Sequence, residues 1–306
     1  MRTIRFWHKV NKYKILLLML LPATIYVVVF NYLPMSGIVL AFKDYNYADG
    51  VFGSPWNGLN NFRFFFQSGQ AFKVTRNTVL FNVAFISFNL LLQLSVAVFL
   101  SEIKGIRFKK TAQTFMFLPH FLSWVVISVI AFNLLNYENG VFNKILENMG
   151  FEKIQFYTTP KHWTWLMVFF NAWKGVGYGS ILYLAAIMGI DTSIYEAAEI
   201  DGANVFQRIF KITIPSLKPT IVILLLLSIG GIFRGNFDMF YNLIGRNGLL
   251  YDVTDVIDTF TFRSLLTNND IGMSAASGLY QSVFCFITIL IANGLVKRYD
   301  RDYSLF

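Results

Sequence analysis

Charge is scarce in this 306-residue chain: 14% of its residues are Asp, Glu, Lys or Arg, where soluble chains average about 25%. With 55% hydrophobic residues, 18% aromatics and a mean hydropathy of +0.52, too little polar side chain remains to cover a water-soluble globule of this length. A single cysteine, Cys285, excludes an intramolecular disulfide, and three histidines offer no Cys/His spacing for zinc. Neither a bound metal nor a cofactor is therefore expected in this chain. It also lacks any Gly-x-x-x-x-Gly-Lys-Ser/Thr loop, so a nucleotide has to be handled by another polypeptide. Acidic residues number 17 against 26 basic ones, a formal charge of +9. The basic residues flank apolar runs instead of forming a soluble stripe, which argues against nucleic acid and for membrane orientation.

At 1.5 Å per residue, about 20 apolar residues cross a hydrocarbon layer about 30 Å thick. Six runs qualify, at 15–33, 74–100, 112–135, 163–189, 219–241 and 278–296. The expected fold class is all-α: a polytopic membrane protein of six transmembrane helices, with a basic segment 1–14, a membrane domain 15–297 and a tail 298–306. Lys and Arg mark the inner face. Arg2, Arg5, Lys9, Lys12 and Lys14 precede the first span, Lys104, Arg107, Lys109 and Lys110 follow the second, Arg208, Lys211 and Lys218 follow the fourth, and Lys297, Arg298 and Arg301 follow the sixth. Both termini are thus expected in the cytoplasm of a bacterial cell. The first run has a basic head but no Ala-x-Ala cleavage site, so it reads as a retained helix. On the outer side, 34–73 reads as a segment on the membrane surface. Residues 140–159, with Phe142, Ile145, Leu146 and Met149 at helical spacing, read as an external helix packed on the bundle. Asp252, Asp255 and Asp258 read as a solvated rim.

The cytoplasmic loop 191–219 carries the most information. Asp191, Thr192 or Ser193 caps a first short helix, and Glu196 suits its opening turn. Ala197 and Ala198 leave a shallow surface. Gly202 permits a sharp turn, and Val205, Phe206, Ile209 and Phe210 share one face of a second helix that Pro215 and Pro219 stop. A helix-turn-helix outside the bilayer offers another protein something to grip.

The spacing Glu196-Ala197-Ala198, then Gly202, Ile212 and Pro215, resembles the EAA loop of type I ABC importer permeases, with Ile214 standing where that family usually has Leu. Six matches at fixed spacing arise by chance on the order of once in 10⁵ chains of this length. Asp201-Gly202-Ala203, and Asn242-Leu243-Ile244 with Asp258-Thr259-Phe260, resemble the carbohydrate-uptake, maltose-permease-like branch, and the resemblance covers nearly the whole chain. It implies a permease subunit, not an enzyme, that translocates a sugar by alternating access. Its implied partners are a cytoplasmic ATPase dimer holding ATP and Mg²⁺, a second related permease, an extracellular solute-binding protein and membrane lipid. The EAA loop would dock in the ATPase, with Glu196, Ala197, Ala198, Gly202, Ile212 and Pro215 as its surface. Arg208 and Lys211 are either ion-pair partners there or ordinary inside-positive residues. A permease for a non-sugar solute and an ion-gradient-driven carrier are the competing functions.

Charges inside spans cost about 2.5 to 3.5 kcal/mol and call for a cavity or a partner, which singles out Lys174, Arg234 and Asp238. Arg234 and Asp238, four apart, are either an internal ion pair or pathway residues. Asn171, Trp173, Lys174, Tyr178, Arg234, Asn236, Asp238, Tyr241 and Asn242 together supply the amides, charges and aromatic faces that hold sugars. Lys174 beside Gly175, Gly177 and Gly179 predicts a bend or a water-facing side in the fourth span, and Leu118-Pro119-His120 a kink in the third. Asn82, Asn89 and Gln93 share a face and read as helix-joining amides. Lys174 and Arg234 in one cavity would suit an acidic glycan; a neutral one fits the sequence equally.

Overall fold

A computed structural model describes residues 12–305; Arg2, Arg5 and Lys9 of the basic segment lie outside the described residues. The principal helices are α1 (Lys14–Phe42), α2 (Gln70–Glu102), α3 (Ile106–Phe121), α4 (Trp124–Leu135), α5 (Pro160–Met188), α6 (Thr192–Ile200), α7 (Val205–Ser216), α8 (Lys218–Gly230), α9 (Phe237–Ile244), α10 (Ile257–Leu266) and α11 (Ile271–Tyr299). Three of these, α1, α2 and α11, are long and apolar enough to cross a bilayer unbroken, and the count reaches six if each bent pair is one span. The six-span expectation holds in that form.

Two apolar cores lie at opposite ends of α2 and α5, the most extensively packed pair. At one end Phe81, Phe85, Trp163 and Met167 meet Ile127 of α4 and Phe240 of α9. At the other, Ala97, Leu100, Tyr183 and Leu184 meet Leu217. Asn89 and Gln93 occupy the stretch of α2 between them.

The third span breaks more sharply than a kink. Helices α3 and α4 meet at 98°, because Pro119 weakens the ladder and Ser123 then starts a new helix, its side chain accepting from the Val126 N–H at 3.3 Å. By contrast α5 runs unbroken from Pro160 to Met188, so of the two expected alternatives the helix has no break, and its Asn171, Tyr178 and Gly179 line a cavity. Its glycines serve close packing instead. A Cβ on Gly177 would stand 1.9 Å from the Met116 carbonyl oxygen, and one on Gly179 2.0 Å from Gln93 Cδ. Gly177→Ala should push α3 off α5 and cost about 1–3 kcal/mol, read as a lower melting temperature of the purified complex.

The fifth span also departs from the sequence reading. α7 passes through Pro215, helped by a wide turn at Ile209–Thr213 that accommodates the proline's missing N–H and its clash with the preceding turn. The chain bends 55° into α8, which ends at Gly230, and helix resumes only at Phe237.

The outer segments are folded onto the bundle. Asn61 donates to the carbonyls of Ala41 at 3.1 Å and Lys43 at 2.9 Å, closing the 43–61 loop, and Phe65 is buried with Ile257 and Phe260, while Tyr47, Phe52, Trp56 and Leu59 of 34–73 stay exposed. Val141–Asn148 is helical as expected but anchored by buried Asn143, which accepts from Ile154 N–H at 2.8 Å; Phe142, Ile145 and Met149 face outward. Of Asp252, Asp255 and Asp258 only Asp252 is exposed, paired with Lys73. Asp255 is 2% exposed in a salt bridge with Arg263, and Asp258 accepts from Gln281 at 2.8 Å. A solvated rim is therefore confined to Asp252.

Candidate transport cavity and coupling loop

Between the two cores lies a cavity of about 560 Å³, walled by α2, α5, α8 and the non-helical stretch before α9. Asn171, Tyr178, Arg234 and Asn236 of the expected pathway line it, together with Asn82, Asn89 and Gln93. The three amides also join helices, as the sequence suggested: Asn89 donates to Asn171 Oδ1 at 2.8 Å, Gln93 to the Gly175 carbonyl at 3.4 Å, and Asn82 to the Ile232 carbonyl at 2.9 Å. Their shared helix face was the available signal for the cavity wall. Asn89 Oδ1 is buried and accepts no hydrogen bond within the protein.

Arg234 is exposed on the unwound stretch and forms no ion pair among the described residues; Asp238 does not meet it. The i, i+4 pairing fails because the chain is not helical between them. Asp238 sits instead in the first turn of α9, where the helix dipole favours a carboxylate.

Five expected pathway residues lie elsewhere. Lys174 donates from α5 to the His120 carbonyl at 2.8 Å and to that of Leu122, with its Nζ 5.4 Å from the Trp124 ring centre. It closes the broken third span. Trp173 is outside the cavity lining, and Asn242 turns back on the Asp238 carbonyl at 2.7 Å. Tyr241 stacks on Phe237 beside a separate outer recess holding Arg263. His120 stacks on Tyr178, ring centres 4.5 Å apart, which orients the one aromatic face in the cavity drawn from the expected set.

The coupling loop folds as the sequence predicts up to Pro215. Asp191 caps α6 by accepting from Ser193 N–H at 2.9 Å. Gly202, at φ +80°, lets Ala203 N–H reach back to the Ala198 carbonyl at 2.8 Å. Asn204 and Gln207 cap α7 reciprocally, and Tyr195 hydroxyl meets Thr213 Oγ1 at 2.9 Å, fixing the two helices together. α6 buries no residue; Glu196 and Ala197 are exposed, as are Ile200 and Phe206. Ala198 and Ile212 are half-buried and Pro215 is exposed. Arg208, for which a docking role was one of two readings, is committed inward: it pairs with Glu199 and, at 3.4 Å, with Glu102. Lys211 stays exposed.

Residues 94–301 match the family described as binding-protein-dependent transport system inner membrane component. The chain belongs to that family. It is a permease subunit of a binding-protein-dependent ABC importer, not an enzyme, and an inner-membrane component. Protein LplB of Bacillus subtilis is 35% identical over 94% of this chain and 90% of its own length. The polygalacturonan/rhamnogalacturonan transport system permease protein YteP of the same organism is 34% identical over 96% of this chain and 91% of its own. A crystal structure of a bacterial ABC transporter for import of the acidic polysaccharide alginate superposes with a TM-score of 0.89 at 32% identity, covering 97% of this chain and 99% of that one.

Proposed function

We propose that this permease imports an oligosaccharide carrying uronate residues, and that the cavity between the two cores is its path. Arg234, which forms no salt bridge among the described residues, five amides and the Tyr178 face match a glycan with hydroxyls and a negative charge. Relatives named for polygalacturonan/rhamnogalacturonan and alginate point to the same chemistry. The observation that carries the reading is the placing of Arg234, exposed and in no salt bridge among the described residues, in one wall with five amides. A charge-assisted hydrogen bond contributes about 1.5–3 kcal/mol. Arg234→Ala should therefore cut uptake of a galacturonate trisaccharide about 10- to 100-fold and leave a neutral trisaccharide unaffected. The same fold-loss for both sugars, or no loss for either, would overturn the acidic-glycan reading.

The face of exposed Glu196 and Ala197 and half-buried Ala198, with Gly202, Ile212 and Pro215, is the docking surface for a separate ATPase dimer, which binds ATP and Mg²⁺; this chain needs no cofactor or metal of its own. A second, related permease completes the pore, as a heterodimer. The unburied length of α1 from Lys14 to Tyr32 supports a neighbour or lipid along that helix. A solute-binding protein delivers the sugar on the side of Asp252. Arg208 with Glu102, and Lys218 with Tyr299 at 3.0 Å, gather the later basic segments at one end; that end is cytoplasmic, and both termini belong to it.

A further inference from the structure

Non-helical backbone at membrane depth persists only where its polar groups find partners in protein or in a water-lined cavity. In residues 231–236 consecutive groups are taken by side chains from three other elements. Asn82 of α2 donates to the carbonyls of Ile232 and Arg234, both at 2.9 Å. Gln281 of α11 donates to the Phe233 carbonyl at 2.8 Å and, with the same amide nitrogen, to Asp258 Oδ2 at 2.8 Å. Asp258 of α10 in turn accepts from Gly235 N–H at 2.5 Å. The fit is close enough to require glycine: a Cβ on Gly235 would stand 2.9 Å from that carboxylate oxygen and 2.8 Å from Val256 Cγ2. Rewinding 231–236 into helix would satisfy the same backbone groups internally and carry Arg234 and Asn236 round the helix axis by about 100° per residue, so the three side chains choose between two backbone states.

We propose that Asn82, Asp258 and Gln281 are positioning residues of the transport cavity, holding residues 231–236 unwound so that Arg234 and Asn236 face Asn89 and Asn171. The proposal rests on reading that cavity as the sugar path. It assigns the clamp no contact with the sugar: Asn82 spends its amide on the carbonyls of Ile232, Arg234 and, within its own helix, Thr78, and Asp258 and Gln281 spend theirs on the segment and on each other.

The test uses the complete transporter in proteoliposomes, with Cys285→Ser to remove the native thiol and Asn236→Cys as reporter. A water-soluble maleimide should label the reporter quickly with the clamp intact. It should label about tenfold more slowly in Asn82→Leu, Gln281→Leu and Asp258→Leu, whereas Asp258→Asn, which keeps an acceptor for Gly235, restores the rate. Unchanged labelling in all three Leu variants overturns the proposal. In the native-thiol background, uptake of a galacturonate trisaccharide provides a double-mutant cycle. If Asn82 acts by presenting Arg234, Asn82→Leu lowers uptake in the parent and adds little in Arg234→Ala; losses that multiply mean a merely structural amide and overturn the positioning role. Slower labelling with full uptake in both Arg234→Ala and Asn236→Ala defeats the cavity reading while leaving the clamp's hold on the backbone demonstrated. Recovery of assembled complex, measured for every variant, separates these outcomes from misfolding.

Discussion

Lys174→Met is expected to reduce the yield and melting temperature of the assembled transporter, with uptake falling in proportion to the complex recovered for acidic and neutral sugars alike. The reason is the 98° break between α3 and α4. The last carbonyls of a helix have no intrahelical donor, and here the breaking turn leaves those of His120 and Leu122 to the Lys174 ammonium, which brings three donors to one point. Met has similar length and no donor. Leaving buried acceptors unpaired costs about 1–3 kcal/mol each, and the cation's contact with Trp124 is lost as well. Lys174→Arg, which retains donors and charge, should recover part of the loss. The outcome that sinks this account is a normal yield of complex with uptake of the acidic sugar selectively reduced, which would return Lys174 to the sugar path where its charge and span position first suggested it.

Glu196→Lys is expected to remove the ATPase from the complex purified in mild detergent and to abolish import, while the permease itself remains stable. Glu196 is exposed on a helix that buries nothing, so reversing its charge leaves the fold of this chain nearly untouched. Gly202→Val provides a second route to the same surface. At φ +80° an L side chain is strained by about 1–2 kcal/mol, although nothing stands within 4 Å of the added Cβ. The turn between α6 and α7 should distort and the ATPase bind more weakly. Full co-purification of the ATPase with active import in Glu196→Lys would put the docking surface elsewhere on the chain.

Legibility divides along the range of the interactions involved. The coupling loop could be read residue by residue, because its caps, its left-handed glycine and its amphipathic stripe are decided by neighbours within a few positions: Asp191 with Ser193, Asn204 with Gln207, Ala203 with Ala198. The cavity was half legible. Asn171, Tyr178, Arg234 and Asn236 line it, but Tyr241, Asn242 and Trp173 were grouped with them on residue type alone, and type does not say which way a side chain points. Arg208 offers a second instance: its charge left a docking role open, and its partners, Glu199 and Glu102, come from the same chain.

By itself the sequence determined that the chain crosses a membrane, which segments are basic, and that 191–219 folds as two short capped helices, since hydropathy, charge bias and short-range capping act locally and survive in one dimension. Tertiary structure decided where the spans break and what the breaks present. Helix is the default for an apolar run in lipid because it satisfies its own backbone. A departure at 119–123 or 231–236 is stable only when Lys174, Asn82, Gln281 and Asp258 arrive from distant parts of the chain to take the freed groups. The periodicity of a single run contains no record of such partners.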